Sequence, residues 1–458
     1  IHLVDKIVLA TEAAFSTATL STYAGNPYFI DLDQLIEEKL LTRKECQACD
    51  FGDDPQDIDY GKLYENRFKL LRKAYERANV GEDQEFEAYR RKNAWWLDDY
   101  ALFMAVKDRF DGVAWNEWAE DIRLRWSNAM DYYRRELYYE IEFYSYLQFV
   151  FMKQWKKLKN YANINGIEII GDIPIYVAFD SADAWANPEL FQFDAENLPT
   201  AVAGCPPDGF SADGQLWGNP LYRWDYHRET GFDWWIRRIA YCSELYDVVR
   251  IDHFRGFDEY YSIPYGDTTA RNGHWEKGPG IALFEAAKNR LGELNIIAED
   301  LGYITDSVKK LVADSGFPGM KVLEFAFDSR EKSDYLPYTY EKNSVVYTGT
   351  HDNETIAGWY AGLDKSDLKM CTDYMNIDRI PGKEYHWDFI RLAMLSVSDL
   401  CVIPIQDYLG LDNRARINHP STLGTNWRWR LAKGQLNASL LKEIREMTRI
   451  SGRLQNGE

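Results

Sequence analysis

Three short segments set acids beside groups that could control their charge. In RIDHFRGF (250–257), Arg250 stands two residues before Asp252, so on a strand both side chains point the same way. A cation in that place keeps a carboxylate ionised and orients it, as a nucleophile requires. IIAEDLG (296–302) offers Glu299, and GTHDNET (349–355) offers His351 beside Asp352. Only seven histidines occur in the chain, and two of them adjoin these acids. Cleaving or transferring a glycosidic bond calls for such a set: one carboxylate attacks or activates, and another protonates the leaving group. Any one acid at the end of a strand has an ordinary explanation as an ion pair or a helix cap. Three motifs arriving together argue against that explanation for all of them.

The elements that must position these acids are legible between residues 166 and 407. Six short apolar runs there end in carboxylates: IEIIGD at Asp172, DVVRID at Asp252, NIIAED at Glu299 and Asp300, KVLEFAFD at Asp328, VVYTGTHD at Asp352 and CVIPIQD at Asp407. Runs rich in Val and Ile, spaced by room for a helix, read as parallel strands covered on both faces. Closed into an α/β (β/α)8 TIM-type barrel, their carboxyl ends converge on one mouth. Residues 60–160 hold no strand-like run. There Leu137, Ile141, Tyr144, Phe151, Trp155 and Leu158 recur at helical steps. A stretch dense in Gly, Pro and Asp over 180–225 reads as a long functional loop, and LNASLLKEIREMTRI near the carboxyl end as a closing helix. The expected organisation is an atypical amino-terminal segment (1–34), an inserted helical lobe (35–160), the barrel (161–430) and a terminal helix (431–458).

Composition narrows the class. The 458 residues, 46% of them hydrophobic, can bury a large core, and a net charge of −20 repels phosphate backbones and anionic membrane surfaces. Neither nucleic acid nor membrane is an expected partner. A neutral polyol is indifferent to that field, and 16 tryptophans, 31 tyrosines and 22 phenylalanines offer flat faces for sugar rings as well as core. Cys46 and Cys49 form a CxxC without a second pair or a histidine cluster, and Cys205, Cys242, Cys371 and Cys401 are isolated. Reduced thiols in the cytoplasm are expected, with no metal and no cofactor. No run is long enough for a secretory signal or a membrane span.

Longer motifs carry a resemblance. AGNPYFIDLD (24–33), GDIPIYVAFDSADAWANP (171–188), PPDGFSADGQLWGNPLYRWD (206–225), VRIDHFRGF (249–257), IAEDLG (297–302), PGMKVLEFAFD (318–328), YTGTHDNET (347–355) and PIQDYLGLDNRARIN (404–418) resemble the bacterial 4-α-glucanotransferases, the amylomaltases of the α-amylase clan. The resemblance implies that Asp252 is the nucleophile, Glu299 the general acid/base and Asp352 the acid that stabilises the distorted sugar. It places Asp172, Asp208, Trp217, Arg250, Phe325, His351 and Asn418 among the substrate-binding residues. Implied partners are α-1,4-glucans and maltooligosaccharides, met by a monomer or homodimer. Members of that family carry two further barrel strands in an amino-terminal segment that residues 1–23 do not match. The barrel is therefore expected to be incomplete at its first strands, through truncation or with IHLVDKIVLA standing in for one of them. Transfer to a sugar, hydrolysis in the same clan, and glucan binding without catalysis are the three readings left open.

Overall fold

The computed structural model describes residues 8–10, of which only the backbone is considered, 20–207, 211–302, 304–378, 385–420, 422 and 424–454. Its strands are β1 (Val8–Ala10), β2 (Glu168–Pro174), β3 (Ala201–Cys205), β4 (Gln215–Pro220), β5 (Val248–Asp252), β6 (Glu259–Pro264), β7 (His274–Lys277), β8 (Ile296–Ala298), β9 (Gly319–Val322), β10 (Ser344–Tyr347) and β11 (Leu400–Val402). Seven of them form one sheet in the order β1-β2-β5-β8-β9-β10-β11, and every pairing in it is parallel. This is the curved parallel sheet of a TIM-type barrel. Within the run IHLVDKIVLA, the described residues Val8–Ala10 supply its first strand, with Val8 opposite Glu168 and Ala10 opposite Ile170.

A two-residue period divides each strand between two environments. Ile170, Ile297, Met320, Val322, Val345, Tyr347 and Val402 meet one another on the inner face. Ile169, Ile173, Val249, Ile251, Ile296 and Ala298 face the core shared with the helices. Counting by twos from Val248, Arg250 and Asp252 fall on the inner side, and from Ile297 so does Glu299. Gly171 faces the packed side, where an added β-carbon would stand 2.1 Å from the Tyr246 ring. A larger residue there would displace the strand that carries Asp172.

The other four strands make an antiparallel sheet in the order β4-β3-β6-β7. Two of them lie in the segment expected to be a loop, 180–225, which also contains the short helix Ala182–Ala186. That segment is therefore a loop only in part. Helices dominate further upstream: Tyr60–Arg77, Gln84–Arg109, Ser127–Glu136 and Tyr138–Ile164. Asp59 and Asp83 begin the first two by accepting hydrogen bonds from the free amides of the opening turn. Tyr138–Ile164 is buried nearly all round from Phe143 to Met152, which is broader than the single stripe expected, while Leu158 at the end of that stripe is exposed. It joins Gln84–Arg109 through Tyr144, whose hydroxyl donates to Asp108 at 2.6 Å, and the barrel through Trp155, whose Nε1 donates to the Leu245 carbonyl at 3.1 Å. Near the carboxyl end, Ala438–Ile450 buries Leu440 and Ile444 among residues of His386–Met394. Among the described residues, no helix is long and apolar enough to cross a membrane.

Candidate active site

The register of the sheet decides who can touch whom. Asp172 on β2 lies directly opposite Arg250 on β5, so both side chains enter the barrel at one level. Arg250, buried, donates from Nη1 to Asp172 and from Nη2 to Asp252 Oδ1 at 3.1 Å. One guanidinium thus serves two carboxylates, as its planar fork permits. Asp172 is itself buried, so the pair neutralises a charge the interior could not otherwise hold. Asp252 keeps a partly exposed side chain at the sheet's end.

Immediately after Asp252 the backbone enters the left-handed region at His253, φ 54°. For a residue with a β-carbon this conformation costs roughly 1–2 kcal/mol. It aims the His253 amide at Glu299, which accepts at Oε2 over 2.6 Å; the Leu301 amide reaches Oε1 at 2.8 Å. Glu299 and Asp252 therefore stand at the ends of neighbouring strands, and an amide one residue from the second holds the first. Burial, followed by repulsion from Asp252, pushes the Glu299 carboxyl up to about 7, against the opposing pull of Arg250 and the two amides. Such an acid can exchange a proton near neutrality. Asp300, the next residue, is spent on structure, accepting from the Met320 amide at 2.7 Å to fasten β9.

Asp352 is set differently. Burial alone would raise its pKa, yet His351, Asn418 and Arg250 together hold it well below the usual carboxylate range. Asn418 Nδ2 donates to Oδ1 at 2.5 Å, and His351 Nε2 lies 3.3 Å from Oδ2. The His351 ring stacks on Trp427 at 5.4 Å between centroids. Arg416 steadies the same turn, donating to the Asp352 carbonyl at 2.7 Å and to the Asn418 carbonyl at 2.8 Å. The site thus contains one acid kept anionic and another that retains its proton up to near neutrality.

Trp217 on β4 is 37% exposed and meets the His253 ring edge-on at 4.9 Å. Burial, then the nearby Arg255 charge, pushes the His253 imidazole down to about 3, so it stays neutral beside the acids. Phe325, half-exposed, packs on Tyr335 at 5.5 Å, and the Tyr335 hydroxyl accepts from the Gly302 amide just beyond Glu299. A cavity of about 700 Å³ is lined by Asp172, Arg250, His351, Arg416, Trp427 and Trp429 among others. The three acids do not line it; they touch or face residues that do.

Of the ten residues named from the sequence, nine are described, and contacts link eight of them into this neighbourhood, with Phe325 at its edge through Tyr335. The tenth, Asp208, lies outside the described residues. In three of the six runs the strand stops well short of its acid; β10 ends at Tyr347, so Asp352 lies on the loop beyond it. Strand β9 ends at Val322 and the chain turns into a short 3-10 helix, so Asp328 falls outside the strand and pairs with Arg330 at 2.6 Å. Asp407 belongs to the helical turn Ile405–Tyr408 that follows β11. Sequence reasoning assigned no site role to His253, Arg416 or Tyr335. For His253 the signal was present, a histidine adjoining the candidate nucleophile; for the other two only a three-dimensional neighbour reveals the contact.

Comparison with known proteins agrees with the motifs. A family model described as 4-alpha-glucanotransferase matches residues 17–436. The 4-alpha-glucanotransferase of Clostridium butyricum is 46% identical over 437 residues, covering 95% of this chain and 89% of that protein. The Thermus thermophilus enzyme of the same name is 43% identical over 445 residues, 95% and 88% of the two chains. Among solved structures, the amylomaltase from Streptococcus agalactiae in complex with acarbose superimposes with a TM-score of 0.92 at 41% identity, covering 95% of this chain and 88% of that one. The amylomaltase from Corynebacterium glutamicum, 18% identical, shares the fold with a TM-score of 0.74 over 99% of this chain and 69% of that one.

Proposed function

Because this chain belongs to the 4-alpha-glucanotransferase family, we propose that it moves α-1,4-glucan segments between maltooligosaccharides or starch and glycogen chains by a retaining double displacement. The observation that carries the mechanism is the contrast between Glu299, raised to about 7, and Asp252, bonded to a buried guanidinium. Retention requires an ionised nucleophile and a protonated acid close together on the two sides of the anomeric carbon. Asp252 attacks that carbon while Glu299 gives its proton to the departing 4-oxygen, leaving a β-linked glucosyl ester. Glu299, now a carboxylate, takes the proton of an acceptor's 4-hydroxyl, and that oxygen displaces Asp252 to restore an α-1,4 bond.

Asp352 supports the same step by staying anionic while positive charge develops on the sugar ring. Asp172 acts through Arg250, and Asn418 and His351 fix the Asp352 carboxylate. Asp208, Trp217 and Phe325 complete the proposed set of substrate contacts. Residence in the cytoplasm is part of the reading, supported by six thiols none of which is joined in a disulfide.

Incubation with maltotriose tests the reading. Longer and shorter oligomers, with reducing ends conserved, are expected. Glucose and maltose alone would mean hydrolysis, and bound but unchanged substrate would mean a binding protein. The Trp217 ring gives a second test, because it stands over the residue that follows Asp252 and can screen the ester from water. Trp217→Ala is expected to raise the hydrolysed share of products about tenfold, in proportion to the loss of acceptor and shielding contacts. An unchanged ratio of transfer to hydrolysis in a folded variant would reduce Trp217 to a packing residue.

A further inference from the structure

We propose that Asp407 is a positioning residue for the transfer reaction, tying together both ends of the loop that carries His351 and Asp352. Asp407 is 1% exposed, and among the described residues its side-chain hydrogen bonds go to that loop and nowhere else. Oδ2 accepts from the Thr348 hydroxyl at 2.5 Å, and Oδ1 from the Ile356 amide at 2.9 Å. Thr348 is the residue after β10 and is fully buried; Ile356 is the first residue of the helix Ile356–Gly362. A single carboxylate therefore closes the excursion on which Asp352 sits. Two acceptor oxygens are needed for this, which an uncharged side chain of that size does not provide.

The same segment grips the loop at intermediate points. Asn413 Oδ1 accepts from the Thr355 amide at 3.2 Å, and its Nδ2 donates to Glu354 at 3.1 Å. Gly358 makes room for this, since a β-carbon there would stand 2.2 Å from Asn413 Oδ1. Arg416 and Asn418 then hold the Asp352 carbonyl and carboxylate. Residues 407–418 thus act as a splint, and Asp407 is the only member bonded to both ends. Burying a carboxylate is costly unless it is hydrogen-bonded, and the bonds that satisfy Asp407 are the ones that fix the turn from which Asp352 projects.

The inference rests on the assignment of Asp352 given above, and the test separates the two. Asp407→Ala, Asp407→Asn and Thr348→Val are made in the full chain. For each, kcat and KM for maltotriose disproportionation, maltotriose binding and the melting temperature are measured. Misplacement of a reacting group by about 1 Å costs on the order of 100-fold, so Asp407→Ala is expected to lower kcat at least about 30-fold with KM within about threefold. Asp407→Asn keeps the volume and one acceptor, and is expected to recover about a third of the lost rate on a logarithmic scale. Thr348→Val, which leaves Asp407 in place, is expected to lose about fivefold in kcat. Combined with Asp352→Ala, Asp407→Ala should add less than about a twofold further loss, because its effect passes through Asp352.

Wild-type kcat per folded molecule in Asp407→Asn and Thr348→Val would overturn the proposal, and these two variants decide it if Asp407→Ala does not fold. So would a full multiplicative loss in the Asp352→Ala background. A wild-type rate for Asp352→Ala alone would overturn the role given to Asp352 and this inference with it, whereas loss there with normal Asp407 variants would overturn the inference only.

Discussion

Asp252→Asn is expected to slow glucan transfer by about four orders of magnitude while maltooligosaccharide affinity stays within a few-fold. The amide has the volume of the acid and can still accept from Arg250, whose bond to Asp172 is untouched. What it cannot do is form the glycosyl ester. Loss should therefore appear in kcat and not in binding, since the carboxylate's contribution is made at the reacting carbon and not to the ground state. Steady-state rates on maltotriose, read beside calorimetric binding, test the first half of this. The second half is chemical: a fluorinated glucosyl donor that stalls after the first step should label Asp252. A label on any other residue would sink the assignment.

Glu299→Gln should be nearly as damaging with natural donors, and selective in a way Asp252→Asn is not. A sugar leaving group needs a proton; an activated aryl glucoside departs without one. Transfer from maltotriose should fall by at least about 1,000-fold, while ester formation from the aryl donor keeps most of its rate. Equal losses on both donors would contradict the acid role. The wild-type enzyme carries a matching pH signature, because Glu299 must begin protonated and its pKa is raised to about 7. Its kcat should decline as pH rises through that value, and the decline should vanish for Glu299→Gln acting on the aryl donor.

The same raised pKa bears on stability, with a definite sign. Between the ordinary carboxyl value of 4.5 and about 7 the folded chain holds the Glu299 proton more tightly than the unfolded chain does. Stability from this group is thus present at low pH and lost as pH rises through the window, by roughly 3 kcal/mol at most. Glu299→Gln should consequently melt higher than wild type at pH 8 and show less advantage at pH 5. The acid is a site where function is maintained against folding.

Much of this was legible in the residues. Val248, Arg250 and Asp252 alternate with Val249 and Ile251, and the two sets do face opposite sides of the sheet. The acids of β5 and β8 could be paired from that alternation alone. Strand ends were harder, because KVLEFAFD stays apolar after β9 has stopped at Val322, and nothing in residue type marks the turn into a 3-10 helix. The antiparallel sheet was hidden for the opposite reason. Strand β4, QLWGNP, contains a glycine at φ 79° and ends in proline, and β7, HWEK, has a single apolar residue. Both are strands because neighbours pair with them, and tertiary pairing outweighs weak propensity. Asp407 shows a third limit: a carboxylate closing an apolar run reads alike whether it faces the mouth or the back of a neighbouring loop.

From β2 onward, each strand of the parallel sheet lies beside the next barrel strand in the chain. Such an order lets the sheet grow at one edge as the polypeptide emerges from the ribosome, without threading and without waiting for a distant partner. The pair Asp172–Arg250 can form first, Glu299 joins it with β8, and the Asp352 turn follows β10. The residues that fasten that turn, from Asp407 to Asn418, come after β11. A nascent chain halted before them would own every reacting carboxylate and still lack the means to hold one of them still, so competence for transfer arrives at the very end of synthesis of the barrel.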